Sequence, residues 1–278
     1  MRNSLLVALA LGGSSAFSTV AYADYTRNIM LVGYWPPTNN MIRRFSTNTT
    51  QNPGGWQGAN WQQSGYNIYS FFPEFPGATE PNWGKGIGDF EVDYQDTSAD
   101  FWRITAQIKP CAMIAFTRGN PGISWEIESR NRNRTSWTAD YFGNPFPDQS
   151  PPDSSYGANA YRNSSLPMDS IMAAVNGSGL GINAYIDRTA AAGGTFLSEY
   201  LGYHTLWYQH LHRQASDPSQ CFAAGHIHVG ISTPPAVAEA ATNLTLASLT
   251  HYLDTLIPTP GSMATVSLGA ILMVRRRR

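Results

Sequence analysis

Five short apolar runs, separated by segments long enough to be helices, constrain this chain more than any other feature. Residues 29–32, YNIYSFFPEF (66–75), CAMIAF (111–116), INAYIDR (182–188) and AAGHIHVGI (223–231) read as strands. Between them, TSADFWRITAQIKP (97–110) spaces Phe101, Ile104 and Ile108 at helical intervals and stops at a proline. SSLPMDSIMAAVNGSG (164–179) ends in glycine, and TFLSEYLGYHTLWYQHLHR (195–213) lines up Phe196, Tyr200, Tyr203, Trp207 and Leu211 on one face. A last helix covers 235–257. Strands alternating with helices predict an α/β fold, a three-layer α/β/α sandwich with a mostly parallel central sheet. Residues 38–65 and 117–163 offer little periodicity and read as loop-rich. In such sheets chemistry gathers beyond the carboxyl ends of the strands, where Gly33, Gly119 and Gly230 fall.

Both ends of the chain read as processing signals flanking one domain at 27–257. Residues 1–23 have a basic start, an apolar middle and small residues Ala21 and Ala23 before Asp24, the pattern of an export signal. Residues 258–278 join a proline-flanked linker to a short apolar stretch and four arginines. The stretch is too short to span a bilayer comfortably. The tail resembles the PEP-CTERM sorting tails of exported bacterial proteins, with PTPG in place of Pro-Glu-Pro, which implies transient membrane anchoring and sorting machinery as a partner. With Arg2 and the terminal arginines set aside, the 19 acids exceed the remaining bases by about six, which argues against a nucleic-acid partner. Export also bears on Cys111 and Cys221: in an oxidising compartment, an even pair at the starts of two buried strands predicts a disulfide.

Three stretches carry candidate chemistry. Ser198 falls in the first turn of the 195–213 helix, beside unpaired N–H groups that suit an oxyanion. GISWEIESRN (122–131) supplies a carboxylate and GHIHVGIST (225–233) a histidine, each next to a strand-like run that carries them toward the same sheet edge. Serine, histidine and glutamate form a workable hydrolase triad, in which the imidazole takes the hydroxyl proton and the carboxylate fixes its tautomer. His226 and His228, two apart on a strand, also share a face and could converge on a metal, with His204, His210 and His212 as further ligands. No acidic or cysteine ligand stands at a supporting spacing, so no metal or other cofactor is expected.

The order of motifs resembles pyroglutamyl peptidase I, also called pyrrolidone carboxyl peptidase. The carrying residues are Gly33, Tyr34, Trp35 and Pro36 after the first strand; Lys109 and Pro110 before the third; and Gly119, Ile123, Ser124, Glu126 and Asn131. They continue through Tyr161, Ser164, Ser165, Leu166 and Pro167, then Gly181, Ile182, Ala184, Tyr185 and Ile186, and end at Gly225, Ile227, His228 and Val229. The resemblance spans about 27–257 and implies removal of an amino-terminal pyroglutamyl-like residue from a peptide. It implies Ser198 as nucleophile where the family has cysteine, His228 as general base and Glu126 as its orienting carboxylate. It further implies Arg134 or Arg132 at the oxyanion, and Tyr34 and Trp35 beside the substrate. Pro37 and Thr38 replace an aromatic and a glycine in the substrate loop. A catalytically silent relative that binds a peptide end or an envelope component is the competing expectation.

Overall fold

The runs at 29–32, 111–116 and 223–231 become central strands because each alternates two sets of buried side chains, one for each face of a sheet covered on both sides, whereas those at 66–75 and 182–188 bury mainly one set and form its edges. The computed structural model describes residues 25–80, 82–141, 145–189 and 193–257. The expected signal (1–23) and tail (258–278) lie outside the described residues. In chain order come β1 (Asn28–Gly33), a one-turn α1 (Thr38–Ile42), β2 (Asn67–Phe71), α2 (Tyr94–Ile108), β3 (Ala112–Arg118) and β4 (Ser124–Glu128). A short ribbon of β5 (Arg130–Arg132) and β6 (Tyr161–Asn163) follows, then α3 (Met168–Asn176), β7 (Asn183–Asp187), α4 (Leu197–Leu211), β8 (Ala223–Val229) and α5 (Pro235–Leu256).

The sheet has the order β2-β1-β3-β8-β4-β7. Every pairing is parallel except β4 against β8. On one face Ile29, Leu31, Ile114, Phe116, Trp125, Ile127 and Ile227 pack with Ile171 and Val175 of α3 and with Leu246, Leu249 and Leu253 of α5. On the other, Met30, Val32, Met113 and Ala115 meet Phe101 and Ile104 of α2 and Leu197 and Leu201 of α4. The expected three-layer α/β/α architecture is therefore the one observed. Among the described residues, no helix is long and apolar enough to cross a membrane.

Two local departures have physical reasons. Helix α2 starts three residues before the expected Thr97, because Asp93 is its cap: the Asp93 carboxylate accepts the N–H of Asp96. The region 117–163 contains β4, β5 and β6, which at three to five residues are too short to impose a visible period.

The expected disulfide is not formed. Cys111 and Cys221 are free and buried. Ala112 is paired with Ala223 in the parallel register of β3 and β8. Cys111 packs in the layer of α3 and α5, whereas Cys221 packs in the layer of α2 and α4. The two thiols thus face different packing clusters. Burial pushes the Cys111 thiol up to about 12, and both behave as small apolar core residues.

Candidate active site

Strand β4 enters the sheet against the direction of β8, placing Glu126 opposite His228 and Glu128 opposite His226. Trp125, Ile127, Ile227 and Val229 fill the core on the α3 and α5 side. By alternation the two glutamates and two histidines stand on the α4 side, with Tyr185 and Asp187 of β7 beside them. One face of the neighbouring strands β8, β4 and β7 thus gathers three carboxylates and two imidazoles.

The partnerships within this group are specific. His228 Nδ1 lies 2.7 Å from Glu128 Oε1, so the ring N–H donates to the carboxylate and Nε2 is left as the acceptor. Glu126 instead receives the Tyr185 hydroxyl. The orienting place expected for Glu126 is therefore occupied by Glu128: the directly opposed residue turns to β7, and the diagonal one reaches the imidazole. Burial raises the Glu128 carboxyl above its ordinary range, against the opposing pull of His228.

Behind this pair lies a fully buried polar network. His226 Nε2 donates to Thr117 Oγ1 at 2.6 Å, and its Nδ1 faces Asn131 Nδ2 at 3.2 Å. Because an amide nitrogen only donates, Nδ1 must accept and the ring is neutral. Burial, and then the neighbouring His228, hold its pKa well below the ordinary value. Asn131 Nδ2 also donates to Glu199 Oε2 at 2.6 Å, and the Arg132 backbone N–H donates to the other Glu199 oxygen. Burial dominates over these donors and pushes Glu199 up to about 8.

Ser198 is brought to the same place by the start of α4. The chain enters through Gly193 and Gly194, both with positive φ, and a Cβ at Gly193 would lie 1.5 Å from Glu199 Oε2. Only glycine suits that position. The Ser198 hydroxyl donates to Gly193 O at 3.3 Å. Ser198, His228, Glu126, Glu128, Asp187 and Arg118 line one cavity of about 380 Å³.

The other expected site residues are placed differently. Arg134 Nε is 3.9 Å from Glu199 Oε1, and Arg132 Nε donates to Asn159 O at 3.0 Å; neither lines the cavity. Arg118, at the end of β3, is the one arginine or lysine lining the cavity among the described residues, and it is ion-paired with Glu80. Tyr34 is buried in the core and bonded through its hydroxyl to Thr97 Oγ1 at 2.7 Å. Trp35 stacks on Phe196 with ring centres 6.2 Å apart, and Phe196 lines the cavity, so Trp35 supports its rim.

Among the described residues, two sets of side chains have ligand atoms within 4.8 Å of one another: Glu128, His226 and His228, and Glu126, Glu128 and Asp187. The first set fits a metal poorly, since both His226 nitrogens and His228 Nδ1 already have protein partners.

Solved structures share this arrangement of elements. Pyrrolidone carboxyl peptidase from Thermococcus litoralis superposes with a TM-score of 0.58 at 17% identity, over 84% of this chain and 99% of that one. The fold is that of pyroglutamyl peptidase I. The Bacillus amyloliquefaciens pyroglutamyl peptidase I gives 0.55 at 16% identity, over 81% of this chain and 97% of that one. A point mutant of the Pyrococcus furiosus pyrrolidone carboxyl peptidase gives 0.55 at 18%, over 81% and 99%. No family model and no curated protein sequence matches the chain.

On this pyroglutamyl peptidase fold, sequence reasoning found Ser198, His228 and Glu126 of the cavity wall and missed Glu128, Asp187 and Arg118. The signal for Glu128 was present: on a strand it shares a face with Glu126, two residues earlier.

Proposed function

We propose that the chain is an exported amide hydrolase acting at the amino-terminal residue of peptides, with Ser198 as nucleophile, His228 as base and Glu128 orienting the base. The observation that carries this reading is the His228–Glu128 hydrogen bond, made on the wall of the cavity that Ser198 also lines. With Nδ1–H held by Glu128, Nε2 takes the Ser198 proton as Oγ bonds to the substrate carbonyl carbon. The resulting oxyanion is met by the free N–H groups of the first turn of α4 and by Arg118. The imidazolium then protonates the departing amine, and water, deprotonated by His228, releases the acyl group from Ser198.

The pyroglutamyl-like substrate is proposed from the motif resemblance and the shared fold. Export through residues 1–23, and sorting and transient anchoring through 258–278, are part of the same proposal and rest on sequence pattern. A second reading, a silent binding protein of the envelope, draws on one observation: the Ser198 hydroxyl is turned to Gly193 O. Active-site hydrogen bonds often tighten only when ligand binds, so this geometry is compatible with both.

The deciding experiment treats the purified domain with a serine-directed fluorophosphonate and maps the adduct by mass spectrometry, alongside release of a fluorophore from a pyroglutamyl amide. The hydrolase reading expects labelling at Ser198 and turnover. A folded protein with neither is the binding protein.

A further inference from the structure

Helices α2 and α4 enclose a second cavity, of about 410 Å³, that shares no lining residue with the one at Ser198. Its wall carries four aromatic side chains, Tyr94 and Trp102 from α2 and Tyr200 and Trp207 from α4. His204 stands among them, fully buried, with ring centres 4.3 Å from Tyr200, 5.6 Å from Trp207 and 6.1 Å from Trp102. Its Nδ1 is 2.7 Å from Tyr200 O, a carbonyl, so that nitrogen carries the proton and donates. The other nitrogen, Nε2, is buried without a hydrogen-bond partner among the described residues. An orphaned buried acceptor on a cavity wall calls for a donor from the occupant.

The rest of the wall fixes the sign of that donor. Among the described residues lining this cavity there is no lysine or arginine, and Asp148 is its one formal charge. An anion would find no counter-charge there. The aromatic rings present negative π-faces, which attract a cation. Burial holds His204 down at about 4, so near neutral pH Nε2 stays an acceptor and adds no positive charge. A neutral polyol would satisfy Nε2 but gain little from the carboxylate and the ring quadrupoles.

We infer that the groove between α2 and α4 is a second binding site, for a small organic ammonium ion with an apolar body. The ammonium N–H groups reach His204 Nε2 and the Asp148 carboxylate, and the apolar body lies against Trp102 and Trp207.

Titration of the protein with 2-phenylethylamine hydrochloride, followed by tryptophan fluorescence, tests this directly. The expected result is a saturable change that 2-phenylethanol and methyl α-glucoside do not produce. Trimethyl(2-phenylethyl)ammonium keeps the charge but lacks N–H donors, so it is expected to bind more weakly. Trp207→Ala should weaken amine binding by roughly five- to tenfold, the loss expected for an aromatic stacking contact, and Asp148→Asn by roughly two- to fivefold, that of an exposed charge contact. Asp148 is exposed, so its variant stays informative if Trp207→Ala folds poorly. Glu126→Gln, in the other cavity, should leave amine binding unchanged. The inference is overturned by an absence of saturation, by equal binding of the alcohol, the glucoside or the quaternary ion, or by an effect of Glu126→Gln without one of Asp148→Asn.

Discussion

Glu128, not the directly opposed Glu126, holds the imidazole of His228, with Oε1 and Nδ1 2.7 Å apart. The two carboxylates lie two residues apart on the same face of β4, so a pair of isosteric variants separates orientation from general electrostatics. Glu128→Gln should lower the rate of Ser198 labelling by on the order of 10²-fold or more, because an amide no longer selects the tautomer. Glu126→Gln should lower it far less. The labelling time course of both proteins checks this, and equal losses would return the orienting role to the site as a whole.

Ser198→Ala should abolish turnover of a pyroglutamyl amide while leaving the thermal midpoint close to that of the parent, since the hydroxyl's one described hydrogen bond is a long one to Gly193 O. Ser198→Cys should retain or raise activity under reducing conditions, because a thiol is a better nucleophile with the same base. Parallel assays of the three proteins decide the point. An alanine variant as fast as the parent would remove serine from the mechanism.

Glu199 sets a pH dependence of stability. Burial raises its folded pKa to about 8 from an ordinary 4.5, so the folded chain binds this proton more tightly than the unfolded one. Its stabilising contribution is present below the unfolded pKa and is lost as pH rises from about 4.5 through 8. Thermal melts across that range should show a falling midpoint, and Glu199→Gln should flatten the fall. A variant with the parent's slope would place the titration elsewhere.

Gly202 lets α4 approach the buried network. A Cβ there would meet Asn131 Nδ2 and His226 Nδ1, each at 2.7 Å. Gly202→Ala should cost about 1–3 kcal/mol in denaturant unfolding, the usual range for overpacking, although alanine is the better helix former. A neutral or stabilising result would show that the network has room to move.

The free cysteines make their own prediction. With Cys111 and Cys221 free and packed in different clusters, excess dithiothreitol should leave the thermal midpoint unchanged, and thiol titration of the unfolded chain should count two. A midpoint that drops on reduction would reveal a bond.

Most of the fold was legible because short apolar runs and helical spacings are local properties. Residues 29–32, 111–116 and 223–231 announce buried strands, and the 195–213 segment announces α4. The reversed direction of β4 was not legible, since five residues carry no mark of which way they run. Neither was the choice between Glu126 and Glu128, which depends on which carboxylate is diagonal to His228. The cysteine pairing failed for a related reason: both thiols begin apolar runs, but which face each takes depends on the pairing of Ala112 with Ala223. Arg118 was hidden at the end of β3, while the arginine-rich 130–134 segment drew attention to residues held outside the cavity.

The opposed running of β4 and β8 ties the chemistry to the fold's own assembly check. A slip of one residue in β4 would turn Glu126 and Glu128 into the oily layer beneath α3 and α5, and turn Trp125 and Ile127 out toward Ser198. Such a chain would bury two unpaired carboxylates and lose two large core side chains together. A wrongly threaded strand therefore yields a molecule that fails to persist, and any chain that survives folding already carries its carboxylates on the side of the cavity that Ser198 lines.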